Sequence, residues 1–104
     1  MTWEPAGARF DELIHSPTRL RITAALATAT DLEFSALEDA LGISTSLLSK
    51  QLGVLAAAGY IVLEKRRQPV GRPRTWIRFT PAGRTAYLSH VEALRQLTDP
   101  DAPR

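Results

Sequence analysis

The side chains of this chain that can do chemistry are mostly basic or hydroxylic, and the basic ones crowd into the middle third. From Lys50 to Arg84, eight basic residues face one acidic residue, a local charge of +7. Residues 1–49 sum to −4 and residues 85–104 to −1. This distribution favours a polyanionic partner that meets one part of the surface. On charge alone, a solvated basic hairpin is an equally good interpretation.

Side chains for catalysis or metal binding are scarce. The chain has no cysteine, which excludes disulfides, thiolate metal sites and a cysteine nucleophile. Its two histidines are His15 and His90, and His90 with Glu92 offers too few ligands for a metal, which needs three or four. We therefore predict that the protein is not an enzyme and holds no metal or cofactor. Each histidine is expected to be an ordinary surface or interface residue.

Two helices joined by a tight turn are predicted in the segment 35–58. Ser35 begins an S-x-x-E capping box that starts the first helix, and Gly42 suits a left-handed helix end. Ser44 then caps a second helix, 44–58, in which leucines recur every three or four residues along one face. Two helices joined by so short a glycine-containing turn are the helix-turn-helix signature.

The rest of the chain is predicted to form further helices and one β-hairpin, so the predicted fold class is mainly α with a small β-hairpin. The remaining predicted elements are, in chain order, a helix at 8–15, a helix from Ser16-Pro17 to about 29, a very short strand at 32–34, strands at 60–63 and 75–79, and a last helix opened by Thr80-Pro81. The polar, arginine-rich segment 65–74 forms the hairpin tip.

The start of helix 44–58 and the hairpin tip are the candidate nucleic-acid contacts. Hydroxyls and backbone N–H groups at a helix start can meet phosphates and base edges, and no acid lies in this first turn. Arginines on a narrow, proline-stiffened loop can enter a minor groove. The alternatives are that the hydroxyls only cap the helix and that the tip is solvated. The predicted DNA-contacting residues are Thr45, Ser46, Ser49, Lys50, Gln51, Arg66, Arg67, Arg72 and Arg74.

Two stretches of the sequence resemble winged-helix regulators of the MarR and ArsR type. Leu48-Ser49-Lys50-Gln51-Leu52, with Leu55-Ala56-Ala57-Ala58-Gly59-Tyr60-Ile61, is similar to their recognition helix and following strand. Residues 72–84 are similar to their wing, second strand and last-helix entry. The resemblance, closest to short stand-alone regulators, implies a winged helix-turn-helix with about five helices and a two- or three-stranded wing. It further implies one DNA-binding domain at 1–97, with terminal helices for dimerisation. Residues 98–104 hold two prolines and two aspartates and are predicted to form a flexible tail.

The resemblance also implies a function. It suggests a homodimeric transcriptional regulator, acting as a repressor, that reads an inverted-repeat operator in double-stranded DNA through helix 44–58 and the basic wing 65–74. A protein-interaction module with the same fold but no DNA binding is the alternative. The dimer contacts that the resemblance implies are Phe10, Leu13, Tyr87, Val91 and Leu94, and intrachain core is the alternative for each of them.

The sequence says less about the cellular location of the protein and about an effector ligand. The chain has no apolar run long enough to span a membrane, and its N-terminus lacks the features of a signal peptide. We therefore expect a cytoplasmic protein with no membrane partner. A small-molecule effector is compatible with the sequence, but no residue specifies one.

Overall fold

The computed structural model describes residues 9–99 and 101, over which the chain forms four helices and three strands. The elements are, in chain order, α1 (Pro17–Ala27), β1 (Leu32–Glu33), α2 (Phe34–Leu41), α3 (Thr45–Ala57), β2 (Ile61–Arg66), β3 (Arg74–Phe79) and α4 (Pro81–Thr98). This architecture confirms the predicted class, a mainly α domain with a winged helix-turn-helix. Residues 1–8, at the start of the predicted domain, and most of the predicted tail lie outside the described residues.

The predicted helix at 8–15 is wrong over its described part, which is why four helices form rather than five. Residues 12–14 form a turn, in which the backbone N–H of His15 donates to the carbonyl of Asp11 at 3.0 Å. The Asp11 carboxylate caps this turn by accepting the N–H of Ile14 at 3.0 Å. Pro17 then starts α1 two residues after His15, and the single turn at 12–14 does not continue into a helix.

Two of the predicted helix caps form, at the starts of α3 and α4. Ser44 accepts the N–H of Leu47 at 3.1 Å and caps α3, and Thr80 accepts the N–H of Gly83 at 3.0 Å and caps α4. The predicted capping box at Ser35 is wrong, because α2 begins at Phe34 and its N-cap is Glu33, two residues before Ser35, with no side-chain cap. Glu33 is the last residue of β1, and α2 begins at the next residue, directly after the strand.

The sheet is antiparallel with the strand order β1-β3-β2, so the short first strand extends the hairpin to three strands. Leu32 pairs with Ile77, and Lys65 pairs with Thr75 near the tip. The core lies between the three N-terminal helices and the inner face of the sheet. Its buried apolar residues are Ile22, Leu26, Leu37, Leu48, Leu52, Leu55, Ile61, Ile77 and Phe79.

Candidate nucleic-acid interface

The helices α2 and α3 meet at 112° across the three residues 42–44. Gly42 allows this turn, because its φ of 65° lies in the left-handed region that glycine adopts without steric cost. The crossing angle, the turn length and the glycine agree with a DNA-binding helix-turn-helix, in which the second helix is the reader. The predicted helix-turn-helix is therefore present.

One face of α3 is buried and the opposite face is open to solvent. Leu48, Leu52 and Leu55 are almost fully buried against the core. Ser46, Ser49 and Lys50 are exposed. Since successive helical residues are rotated by about 100°, Ser46 and Lys50 point nearly opposite to the leucine stripe. The structure thus brings together three of the five α3 residues that the sequence predicts to contact DNA.

The other two predicted α3 residues make contacts within the chain. Thr45 is exposed, but its hydroxyl donates to the carboxylate of Glu38 in α2. Gln51 is half-buried and faces α1, where its Oε1 accepts a hydrogen bond from Nη1 of Arg19 at 2.6 Å. Nε of Arg19 also donates to the Leu13 carbonyl at 2.6 Å, so this link ties α3 to the N-terminal segment. Gln51 therefore lies away from the exposed face that carries Lys50.

Strand alternation divides the basic residues of the wing between two faces. Lys65 and Thr75 are direct partners and lie on the same face as the pair Leu63 and Ile77, which continues the core beside α3. Arg66 and Arg74 are the next pair, so they lie on the opposite face. Two of the four arginines that the sequence predicts to contact DNA therefore point away from the recognition helix.

Arg66 and Arg74 are held in ion pairs on that outer face. Nη2 of Arg66 lies 2.6 Å from Asp31, its Nε lies 2.5 Å from Glu64, and its guanidinium stacks 4.6 Å from the centre of the Trp76 ring. Nη1 of Arg74 lies 2.8 Å from Glu33 in β1. These contacts anchor the base of the wing to β1 and the loop before it. The hydrogen bonds to Glu64 and Asp31 also raise the pKa of Arg66.

The tip of the wing carries the other two predicted arginines. Arg67 and Arg72 are exposed, and within the described chain neither has an acidic partner. Gly71 lies in the tip with a φ of 92°, a conformation that a residue with a side chain rarely adopts. The tip therefore presents two guanidinium groups whose positive charge no acid of the described chain neutralises.

Sequence reasoning missed the acids that surround this surface. Asp31, Glu33 and Glu38 come from the acidic first half of the chain, and each one contacts a residue that the sequence predicts to contact DNA. The pairing of β1 with β3 brings Glu33 next to Trp76 and so within reach of Arg74. Only that strand register would have revealed the contact, and a two-residue strand gives a weak sequence signal.

The predicted dimer residues lie on the N-terminal segment and α4, on both sides of a buried histidine. Phe10 is 42% exposed and Val91 is 39% exposed, so both offer apolar surface. Leu13 and Tyr87 are half-buried and pack against the core. Leu94 is also half-buried. The apolar surface at this end of the molecule further includes two exposed residues outside the predicted set, Leu88 and Leu97.

The expectation of a surface or interface position is wrong for His90, which is fully buried within the chain. Its Nδ1 accepts the backbone N–H of Asp11 at 2.9 Å, and its Nε2 lies 3.2 Å from Nδ1 of His15. Burial, together with the nearby His15, lowers the pKa of His90. The same cluster includes Tyr60, whose hydroxyl donates to Asp11 at 2.5 Å, and this bond raises the pKa of Tyr60 to about 12.

Neither a metal centre nor a membrane span emerges over residues 9–99 and 101. No three histidine, aspartate or glutamate side chains of that range converge on a possible metal position. No single helix there has the length and hydropathy to cross a membrane, and α2 and α3 satisfy those criteria only as the bent pair of the helix-turn-helix. A cleft of about 600 Å³ opens beside Tyr60 and Asp11.

The fold and this surface define a class of protein, the winged helix DNA-binding domains, in which a helix-turn-helix and a β-hairpin present one basic side. The chain matches the winged helix DNA-binding domain family over residues 18–98 and belongs to it. No curated protein matches the chain significantly.

Solved structures that share the fold include two named as transcriptional regulators. The transcriptional regulator homologue protein from Pyrococcus horikoshii OT3 is 24% identical over 88% of this chain and 91% of that chain, with a TM-score of 0.80. The transcriptional repressor BigR from Xylella fastidiosa is 26% identical over 89% and 83%, with a TM-score of 0.59. NadR, solved in complex with 4-hydroxyphenylacetate, is 22% identical over 86% and 62%, with a TM-score of 0.68. The predicted class, a winged-helix transcriptional regulator, is confirmed.

Proposed function

We propose that this regulator binds double-stranded DNA sequence-specifically, with α3 in the major groove and the wing tip in the adjacent minor groove. The observation that carries the proposal is the distribution of unpaired positive charge. Lys50, Lys65, Arg67 and Arg72 have no acidic partner in the described chain and lie on α3, on the inner face of the wing or at its tip. Arg19 and Arg21 in α1, Arg78 on the outer face of the sheet and Arg84 in α4 also lack an acidic partner, but they are not grouped in this way. Such charge attracts a phosphate backbone, whereas the ion-paired Arg66 and Arg74 stabilise the wing.

Within this proposal, base reading falls to the exposed face of α3. Ser46, Ser49 and Lys50 point away from the core, so they are the side chains that a major groove would meet first. The ammonium group of Lys50 can donate to O6 and N7 of guanine. We do not include Gln51 among the base-contacting residues, because its side-chain oxygen accepts a hydrogen bond from Arg19.

We further propose that the protein acts as a homodimer on an inverted repeat. Phe10, Leu88 and Val91 are apolar and 42%, 53% and 39% exposed, more apolar surface than the N-terminal segment and α4 need for one domain. A two-fold axis through this surface would place two copies of α3 on one side of the duplex, about 34 Å apart, which corresponds to half-sites one helical turn apart. The naming of BigR as a repressor supports the same role here.

The alternative, a winged helix that binds proteins and not DNA, predicts a different salt response. DNA binding through several lysines and arginines releases counterions, so the affinity should fall steeply as salt rises from 50 to 200 mM. Fluorescence anisotropy with a labelled mixed-sequence duplex at several salt concentrations measures this directly. Absence of binding at 50 mM salt would favour the protein-interaction module.

A further inference from the structure

Two histidines join the N-terminal segment, residues 9–15, to α4. Nε2 of His90 in α4 lies 3.2 Å from Nδ1 of His15, and Nδ1 of His90 accepts the backbone N–H of Asp11 at 2.9 Å. The ring centre of Phe10 lies 4.7 Å from the ring centre of each histidine. His90 is fully buried, whereas His15 is exposed. Solvent therefore reaches this histidine pair from the side of His15.

The hydrogen bonds of the pair determine where the protons of both rings lie. Nδ1 of His90 accepts a hydrogen bond, so the single proton of a neutral His90 is on Nε2. Nε2 then donates to Nδ1 of His15, and that nitrogen must itself carry no proton. The hydrogen bonds thus run in one direction, from Asp11 through His90 to His15. This arrangement requires that both imidazoles are neutral.

A proton added to His15 breaks this chain of hydrogen bonds. It binds at Nδ1, because Nε2 already carries one, and the new N–H faces the N–H of His90. If the proton of His90 moves to its own Nδ1 instead, that N–H faces the backbone N–H of Asp11. Either arrangement sets two donors against each other and loses a hydrogen bond. Burial disfavours a charge on His90, so the exposed His15 takes the first proton.

The charged groups around the pair do not remove this conflict. Asp11 is the acid beside the two rings, and its carboxylate already accepts hydrogen bonds from a backbone N–H and from the hydroxyl of Tyr60. Arg9, which lines the same cleft as Asp11 and Tyr60, adds positive charge on this side. On α4, the carboxylate of Glu92 is paired with Arg95. A charge on one ring also disfavours a charge on the other.

The pair holds the N-terminal segment on α4 at the surface proposed for dimerisation. The backbone N–H of Arg9 donates to Ser89 at 2.7 Å, and the hydrogen bonds of the histidine pair attach the rest of the segment. Phe10 lies between these attachments and packs on both imidazoles. Val91 follows His90 in α4, so the apolar surface of Phe10 and Val91 depends on the same contacts.

We propose that the pair of His15 and His90 is a pH switch for assembly, an inference that rests on the proposed dimer. With both rings neutral, the pair holds Phe10 in the dimer surface. A proton on His15 breaks the hydrogen bonds of the pair, releases the N-terminal segment from α4 and weakens the dimer. Because an inverted repeat is contacted at both half-sites by a dimer and at one by a monomer, acid also weakens binding to the operator. Histidine changes its charge between about pH 5 and 8, so the switch works in that range.

Sedimentation of the full chain at pH 7.5, 6.5 and 5.5 measures the dissociation constant of the dimer. For the wild type we expect a rise of about tenfold from pH 7.5 to 5.5, within the limit of about tenfold per pH unit for each proton taken up. In His15→Asn, Oδ1 can accept the hydrogen bond of His90 but cannot take a proton. We expect this variant to remain dimeric at pH 5.5, whereas a merely damaging substitution would weaken the dimer at every pH.

Glu12→Gln is the matched control. Glu12 is an exposed ionisable residue of the same segment, outside the hydrogen bonds of the pair, so the variant should respond to acid as the wild type does. A wild-type dissociation constant that is the same at pH 7.5 and 5.5 would overturn the switch and leave the dimer intact. An equal rise in His15→Asn and the wild type would overturn the role of His15. A wild type that is monomeric at pH 7.5 would fail the proposed dimer itself.

Nitrogen-15 NMR of the imidazoles tests the pair without reference to DNA or to assembly. The chain has two histidines, so both rings can be followed in the full protein. At pH 7.5 we expect both to be neutral with the proton on Nε2. As the pH falls, His15 should gain a proton first, and the amide proton of Asp11 should exchange faster with solvent at the same pH. A proton on Nδ1 of either ring at pH 7.5, or an Asp11 amide that stays protected at pH 5.5, would contradict the mechanism.

Discussion

Gly83 lies buried in the first turns of α4, against the backbone at the junction of α3 and β2. A Cβ at this position would lie 1.9 Å from the carbonyl oxygen of Tyr60 and 2.7 Å from its carbonyl carbon. That backbone is held at both ends, because the N–H of Tyr60 donates to Leu55 at 3.0 Å and its carbonyl accepts from Thr80 at 3.0 Å. Gly83→Ala therefore requires α4 to move away from this junction.

The expected cost follows from these contacts. Overpacking costs about 1–3 kcal/mol. Loss of the Thr80–Tyr60 hydrogen bond adds about 1 kcal/mol. The better helix propensity of alanine returns about 1 kcal/mol. We expect Gly83→Ala to lower the free energy of unfolding by about 1–3 kcal/mol, and the middle of that range lowers Tm by roughly 10 °C in a domain of this size.

Gly53→Ala is the matched control. Gly53 is also in a helix, but a Cβ there meets nothing within 4 Å, so only the propensity gain remains. We expect it to stabilise the protein by about 0.5–1 kcal/mol. Urea unfolding and calorimetry at one protein concentration compare both variants. A Gly83→Ala protein at least as stable as the wild type, with Gly53→Ala behaving as expected, would refute the close packing of α4 on Tyr60.

Three further predictions concern pH, the wing and assembly. Burial holds the pKa of His90 below its unfolded value near 6.5, so its contribution to the free energy of unfolding is complete above that pH. The contribution is lost as the pH falls below 6.5, by at most about 1.4 kcal/mol per pH unit. If the free energy of unfolding of His90→Gln changed with pH in the same way as that of the wild type between pH 7.5 and 5.5, this prediction would be wrong. Glu33→Gln breaks the ion pair that ties Arg74 to β1, so the wing should be held less firmly and DNA binding should weaken in an anisotropy titration at low salt. Binding at least as tight as that of the wild type would show that the pair does not position the wing. Val91→Glu places a charge on the proposed dimer interface, so sedimentation should show a shift from dimer to monomer. A variant that stays dimeric would show that the interface does not include Val91.

Local signals in the sequence predicted the helix-turn-helix well. The caps at Ser44 and Thr80 and the left-handed Gly42 each depend on residues within one turn, so neighbouring side chains determine them. The leucine stripe of α3 follows in the same way from helical spacing. These features predicted the fold class and the outward face of the recognition helix.

Contacts between distant segments were the part that the sequence could not reveal. Arg66 and Arg74 looked equivalent to the tip arginines until the register of β2 and β3 placed them on the outer face beside acids. Gln51 looked like a base reader until the packing of α1 brought Arg19 to it. His90 is buried because α4 packs against the N-terminal turn. Apart from the Arg66–Glu64 pair, these contacts join residues that are far apart in sequence, so no local pattern reports them.

Selection of bound duplexes from a random DNA pool, carried out in parallel with the wild type and Lys50→Ala, tests the central claim most directly. The account predicts that the wild type enriches an inverted repeat with half-sites about one helical turn apart. For Lys50→Ala it predicts a loss of preference at one base pair in each half-site, at a cost of about 1–3 kcal/mol on the preferred duplex. A wild-type pool without an enriched sequence would contradict specific reading by α3, and an identical motif from Lys50→Ala would remove Lys50 from the base contacts.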